Sequence, residues 1–205
     1  MTVCVVKLGG SLANSKALPR WLDVIATAGA GKVVLVPGGG LWADEVRDAQ
    51  KRDGFNDRVA HRRALRAMEQ YGKVLAGLRA NLVPAAGIAE IHQALRGGQI
   101  AVWMPYEMIV ADPSIPESWD VTSDSLAAWL ANRLNASALL LVKSLKIAGP
   151  QPGIAELMRR GWVDPAFSRF TSGSHFRIVL LGQGDWKTAE CTLSAAGTVA
   201  KTSHR

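Results

Sequence analysis

Apolar runs that do not alternate with polar residues constrain this chain most. TVCVVKL, KVVLVP, ASALLLV and FRIVLL each read as a strand buried on both faces. Stretches of helical period lie between them. KALPRWLDVIATAGA puts Leu18, Trp21, Leu22 and Ile25 on one face and meets a glycine stop near its end. LWADEVRDAQKRDG continues as a helix. A long helical pattern runs from Asp57 to about Ala80 and carries Ala64, Leu65, Met68, Tyr71, Leu75 and Leu78. SDSLAAWLANRLN and IAELMRRG add two more helices. IAVWMPYEMI reads as a further strand that stops at prolines, and DPSIPESWDVTSD reads as a loop. This order specifies an α/β fold, a three-layer αβα sandwich with a mainly parallel sheet. Parallel strands end at one edge, and in such sheets ligands bind beyond that carboxyl edge.

The 205 residues suit a single domain over residues 1–205. No apolar stretch approaches the roughly 18 residues of a membrane span, and Lys7 interrupts the first apolar run, so neither an anchor nor a leader is expected and the cytoplasm is the expected location. Cys4 and Cys191 form no metal-like pair; Cys4, in the first strand, reads as a small buried hydrophobe. The net charge of +7 suits either nucleic acid or a polyanionic small substrate. Aromatic residues do not interleave with the basic ones, which argues against a stacking surface and a nucleic-acid partner. Arg58, Arg62 and Arg66 recur every four residues in DRVAHRRALR and line one helix face, either as a solvated face or as a rim that draws in phosphorylated substrates.

Two glycine turns follow the first two strands. In VVKLGGSL, Gly9 and Gly10 leave backbone N–H groups open to an anion, the next helix points its positive end at them, Ser11 adds a hydroxyl and Lys7 a full charge. The spacing is neither that of a P-loop nor that of a dinucleotide fingerprint. VPGGG, with Gly38, Gly39 and Gly40, repeats the design. A tight turn needs one or two glycines, so a third implies close approach to the backbone. Together the turns form a double anion site, suited to phosphoryl transfer between two phosphate-bearing molecules.

In WDVTSDSLAAWLA, Asp124 stands at a loop-to-helix junction between Ser123 and Ser125. Ser123 or Asp124 is available as the helix cap; alternatively, the Asp124 carboxylate orients nearby lysines. Lys143 ends the strand ALLLV at the ligand edge, with Lys146 three residues on and solvent-facing.

VVKLGGSL, VVLVPGGG, VTSDSLAAWLA and ALLLVKS, in that order, resemble the amino-acid-kinase superfamily, which includes acetylglutamate, aspartate, uridylate and isopentenyl-phosphate kinases; LSAAGTVAKT resembles its final Gly-Thr strand. ESWDVTSDSLAA, with its tryptophan, and AHRRALRAMEQYG, with a His-x-x-Ala-x-x-x-Met pattern, are most similar to the small aminomethylfuran phosphate kinase branch of methanofuran biosynthesis. The resemblance implies a sheet of about eight strands, ATP with the Mg2+ it carries as cofactors, and a small phosphorylated acceptor, the phosphate of an aminomethylfuran-methyl phosphate. It also implies a homo-oligomer, a dimer or larger. Lys7, Gly9, Gly10, Ser11, Lys143 and Ser144 would hold the nucleotide; Gly38, Gly39, Gly40, His61 and Ser123 the acceptor; Lys7, Asp124 and Lys143 would be catalytic, with no dedicated metal ligands. One segment departs from the family. Its Thr-Asp-x-Asp-Gly after the LLLV strand is replaced by KSLKIAG, with Lys143 at the place of a lysine found in uridylate kinases. That departure leaves open a kinase of the same fold with a carboxylate, uridylate or isopentenyl phosphate acceptor, or a non-catalytic anion-binding protein.

Overall fold

In a computed structural model of the chain, residues 2–147, 149 and 151–195 are described. They form an αβα sandwich around one sheet. The strands are β1 (Cys4–Leu8), β2 (Val33–Pro37), β3 (Leu82–Ala85), β4 (Ile100–Trp103), β5 (Ala138–Val142) and β6 (Arg177–Leu181). They are ordered β3-β4-β2-β1-β5-β6, and every pairing is parallel. The helices are α1 (Leu18–Ala28), α2 (Gly40–Asp53), α3 (Asp57–Gly77), α4 (Ile88–Arg96), α5 (Tyr106–Val110), α6 (Ser123–Arg133), α7 (Ile154–Arg159), α8 (Phe167–Thr171) and α9 (Trp186–Ala195). None of the described helices is long and apolar enough to cross a membrane.

The described sheet has six strands rather than about eight. The Gly197–Thr198 pair of the expected final strand lies outside the described residues; the start of that segment, up to Ala195, closes α9. IAVWMPYEMI is a strand only as far as Trp103. Pro105, with φ −76° and ψ −22°, starts the five-residue helix α5 instead, because a ring-locked φ suits a helix start and not a sheet ladder. The sequence pattern assigns nothing to residues 81–99, where β3 and α4 lie. β3 is a four-residue edge strand, a position that tolerates Pro84.

Two apolar layers sandwich the sheet. Val3, Val5, Val34, Val36, Leu139 and Leu141 pack against α6, α4 and α8. Cys4, Val6, Leu8, Val33, Leu35 and Leu140 pack against α1 and α9. α3 gives Leu65 and Met68 to the first layer and Tyr71 and Leu75 to the second. The parity of a strand then places the functional side chains. Lys7 follows Val3 and Val5 on the α6 side of β1; Lys143 follows Leu139 and Leu141 on the α6 side of β5. β1 is central and Lys7 is paired across to Val36 and Leu141, so both lysines emerge at the carboxyl edge beneath the start of α6. The chain adds strands on one side of β1 and then on the other, which makes this edge the topological switch point.

Candidate active site

The two glycine turns lie against each other. Gly38 N–H donates to the Leu8 carbonyl at 2.9 Å, and Gly9 N–H to that of Val142 at 3.0 Å. A Cβ at Gly10 would collide with the Gly40 nitrogen, and a Cβ at Gly38 with the Gly10 nitrogen. Gly40 also sits at φ 56°, the left-handed region that glycine enters without strain. The close approach that the triple glycine implies is thus at least in part that of the neighbouring turn. The result is two sets of backbone groups brought together where β1 and β2 end.

Below them lies a charged cluster. Lys143 Nζ is 2.8 Å from both Asp124 oxygens, and Lys7 Nζ is 3.0 Å from Asp124 Oδ1. Relative side-chain exposures are 6% for Lys7, 8% for Asp124 and 14% for Lys143, so all three charges are held largely out of water. Burial would raise the Asp124 carboxyl, but the two ammonium groups outweigh it and hold it below its ordinary value. Burial pushes the Lys143 ammonium down to about 8; the Lys7 charge lowers it further, and Asp124 opposes both. Two cations sharing one carboxylate leave a net positive charge in a poorly solvated place, which is suited to an incoming phosphoryl group. Ser11 Oγ donates to Ser144 Oγ at 2.9 Å, which ties the first glycine turn to the loop after β5.

A cleft of about 310 Å³ opens beside the cluster, lined by the turn residues Gly10, Ser11, Gly39 and Gly40, by Ser123, and by Asn14, Asp44 and Arg47. Ser123, next to Asp124 in sequence, joins the cleft to the cluster. The lysines themselves are not among the lining residues. A second cavity, about 440 Å³, is bounded by Lys16, Arg20, Lys146, Gln183, Gly184 and Trp186 past the ends of β5 and β6.

Sequence reasoning missed Arg47, Asp44 and Asn14. The first two carry a legible signal, since Gly40, Ala43, Asp44 and Arg47 follow helical spacing and all line the cleft. Arg47 is fixed over the Trp119 ring, 4.3 Å from its centroid, and pairs with Asp44 at 3.3 Å. His61 is placed elsewhere. It is buried, its Nδ1 lies 3.1 Å from the Ser118 carbonyl, and it is not among the cleft residues; burial pushes its imidazole down. It anchors the loop that carries Trp119. Three arginines of α3 are ion-paired: Arg62 makes two hydrogen bonds to Glu117 at 2.7 and 3.1 Å, Arg58 lies 3.4 Å from the same carboxylate, and Arg66 pairs with Glu69 at 2.8 Å. They form a paired face rather than a free cationic rim. Arg47 is the cation among the residues that line the cleft.

Asp124 does not cap α6. The N-cap is Thr122, whose side chain makes no cap bond, and Asp124 lies in the first turn.

A model of the amino acid kinase family matches residues 2–146. The chain belongs to the amino acid kinase family. A (5-(aminomethyl)furan-3-yl)methyl phosphate kinase of Methanocaldococcus jannaschii is 27% identical over 138 residues, covering 67% of this chain and 63% of the relative, so the match spans under two thirds of that protein. Uridylate kinase from Archaeoglobus fulgidus superposes with a TM-score of 0.70 at 16% identity, over 94% of this chain and 95% of that one. An isopentenyl phosphate kinase superposes with a TM-score of 0.60 at 15% identity, over 94% and 96%. At such identities these solved structures establish the shared fold.

Proposed function

We propose that this family member transfers the γ-phosphoryl group of ATP to the phosphate of an aminomethylfuran-methyl phosphate, giving a diphosphate and ADP. The observation that carries the reading is the buried Lys7–Asp124–Lys143 cluster under two apposed glycine turns. An acceptor phosphate oxygen attacks the γ-phosphorus, and the bond from that phosphorus to the ADP oxygen breaks. A phosphate is already ionised, so no general base is required. That fits a site where both Asp124 oxygens are engaged by lysines and His61 is not among the residues that line the cleft. The chain contributes position and charge: Lys7 and Lys143 balance the moving phosphoryl group, with the backbone amide at Gly10 assisting.

The residues present fit ATP. The first glycine turn with Ser11 and Ser144 would hold its phosphates, and the cavity beside Trp186, ringed by Lys16, Arg20 and Lys146, is where we assign the rest of the nucleotide. Magnesium would arrive bound to the nucleotide and neutralise phosphate charge there; among the described residues no group of three His, Cys, Asp or Glu is arranged to hold a metal. Gly38, Gly39, Gly40 and Ser123 would hold the acceptor, with Arg47 facing its phosphate. Asp44, the carboxylate lining the cleft, suits an acceptor that also bears an ammonium group. The family relative named for an aminomethylfuran phosphate supports this choice of acceptor.

The test is to supply ATP with the furan-methyl phosphate, its unphosphorylated alcohol, uridylate, isopentenyl phosphate and acetylglutamate, and to follow products by phosphorus NMR. The furan phosphate should become a diphosphate while the alcohol stays unchanged. Equal turnover of the alcohol, or turnover of acetylglutamate alone, would overturn the assignment.

A further inference from the structure

The start of α6 lacks a cap of its own and borrows one. Asp164, 40 residues downstream of Asp124 and buried, aims its carboxylate at that turn. Its Oδ2 accepts from Thr122 N–H at 2.9 Å, from Thr122 Oγ1 at 2.8 Å and from Ser125 N–H at 3.0 Å, while its Oδ1 accepts from Ser125 Oγ. The bond to Ser125 N–H satisfies the N3 donor, the one a capping side chain at Thr122 would ordinarily take. Thr122 donates its own hydroxyl to Asp164 instead. Residues 122 and 125 bracket Asp124, so the clamp grips the turn on both sides of it. The clamp is itself docked: Ala166 N–H donates to the Asp120 carbonyl at 3.1 Å, and Phe167, the first residue of α8, is buried in the layer shared with α6.

We propose that Asp164 is a positioning residue for the Lys7–Asp124–Lys143 cluster, its carboxylate capping α6 from a distant loop and so fixing the turn from which Asp124 reaches both lysines. The catalytic consequence rests on the kinase reading above; the effect on the lysines does not. Asp164 works as a hydrogen-bond acceptor more than as a charge. Burial pushes its carboxyl up and the nearby Asp124 adds to this, against the bonds that Ser125 and Thr122 donate. An Asn offers an acceptor to the Thr122 and Ser125 N–H groups and an amide to a rotated Ser125 hydroxyl, so it keeps most of the clamp; an Ala keeps none of it.

The readout is Lys143, which titrates near 8 under the influence of Lys7 on β1, Asp124 on α6 and its own burial. If Asp124 is loosened, Lys143 loses the group that favours its charge, and its titration moves to lower pH. Asp164→Ala should shift that titration down by at least about half a unit, measured as the pH dependence of amine acylation at Lys143 by mass spectrometry. In the same variant kcat should fall about tenfold with the acceptor KM within about twofold. Asp164→Asn should restore both toward the parent values. Ser125→Ala, which removes one clamp bond, should give a smaller shift of the same sign and serves if Asp164→Ala does not fold. An unshifted Lys143 titration in folded Asp164→Ala or Ser125→Ala overturns the proposal, as does an Asn variant as impaired as the Ala variant. If no kinase substrate turns over but the titration shifts, the positioning role stands and the kinase reading fails.

Discussion

Two regions of this molecule carry cations paired with carboxylates, and they are built to opposite ends. On α3, Arg58 and Arg62 reach Glu117 with side chains 66%, 33% and 28% exposed, and water solvates whatever the pairs do not. At the end of β1 and β5, Lys7 and Lys143 share Asp124 with no side chain more than 14% exposed. In both groups two positive charges meet one carboxylate; only the second holds its excess charge out of water. An exposed ion pair stabilises little, because solvent screens it and the side chains lose freedom. A buried cluster with an excess charge is costly to hold and is a strong attractor for a compensating anion. The more conspicuous cationic stripe in the sequence is therefore the solvated one. The three separated residues, 7, 124 and 143, form the buried one.

The sharpest way to break this contrast is Asp124→Asn. With the carboxylate gone, two buried ammonium groups face each other uncompensated, and removal of one partner from a buried pair costs about 3–5 kcal/mol. Chemical denaturation should show a loss of that size, and turnover should fall on the order of a thousandfold. Wild-type activity in that variant would sink the electrostatic role. Lys7→Ala comes next: turnover should drop on the order of a hundredfold, the scale of one lost transition-state donor. Its folding should hardly change, since Asp124 keeps Lys143 and the repulsion between lysines disappears. Collapse of thermal stability with normal turnover per folded molecule would make Lys7 structural. The same substitution should move the Lys143 titration up, opposite to the shift expected from Asp164→Ala.

The pH profile separates the regions further. Lys143 is charged below about 8, so the rate should fall as pH rises through that value, and Lys143→Arg, whose guanidinium stays charged, should remove this limb from whatever activity remains. Stability runs the other way. The folded value lies below the ordinary 10.5, so between about 8 and 10.5 the unfolded chain binds more protons, and this group's contribution to stability rises with pH across that window. A pH-rate profile of the parent and the Arg variant, set beside melting curves, tests both signs. Arg47→Ala should raise the acceptor KM about tenfold, the worth of one charge-assisted hydrogen bond, with kcat and the ATP KM little changed; an unchanged acceptor KM would remove Arg47 from the acceptor cleft. The smallest effect belongs to Arg62→Ala, expected to alter neither turnover nor melting temperature measurably. A large loss of acceptor affinity there, abolished by salt, would restore the α3 stripe as a substrate rim.

The layered parallel architecture was legible because a strand buried on both faces must be apolar, and β2 and β5 meet that requirement throughout, β1 at all but Lys7 and the edge strand β6 from Ile178 on. The glycine turns were legible because little else explains glycines directly after such strands. β3 and α5 were not: a four-residue edge strand with a proline has almost no pattern, and α5 is a single turn whose residues also suit a strand. In the site, Lys7, Asp124 and Lys143 stood out as charges at strand and helix ends. Asp164 gave no comparable signal, since an Asp before a proline reads as an ordinary turn.

By itself the sequence determined which of the longer segments become strands and helices and which polar residues stand at their ends, because burial and turn chemistry act within a few residues of chain. It could not determine which face of the sheet Lys7 and Lys143 point to. β1 and β5 are apolar on both faces, so no alternation marks the parity, and only the packing of α6 on one face decided it. Nor could it decide which arginines are paired. That depends on Glu117 returning to α3 from 55 residues beyond Arg62, and the sign of a local field is set by the charges that folding brings within a few ångströms, not by those adjacent along the chain.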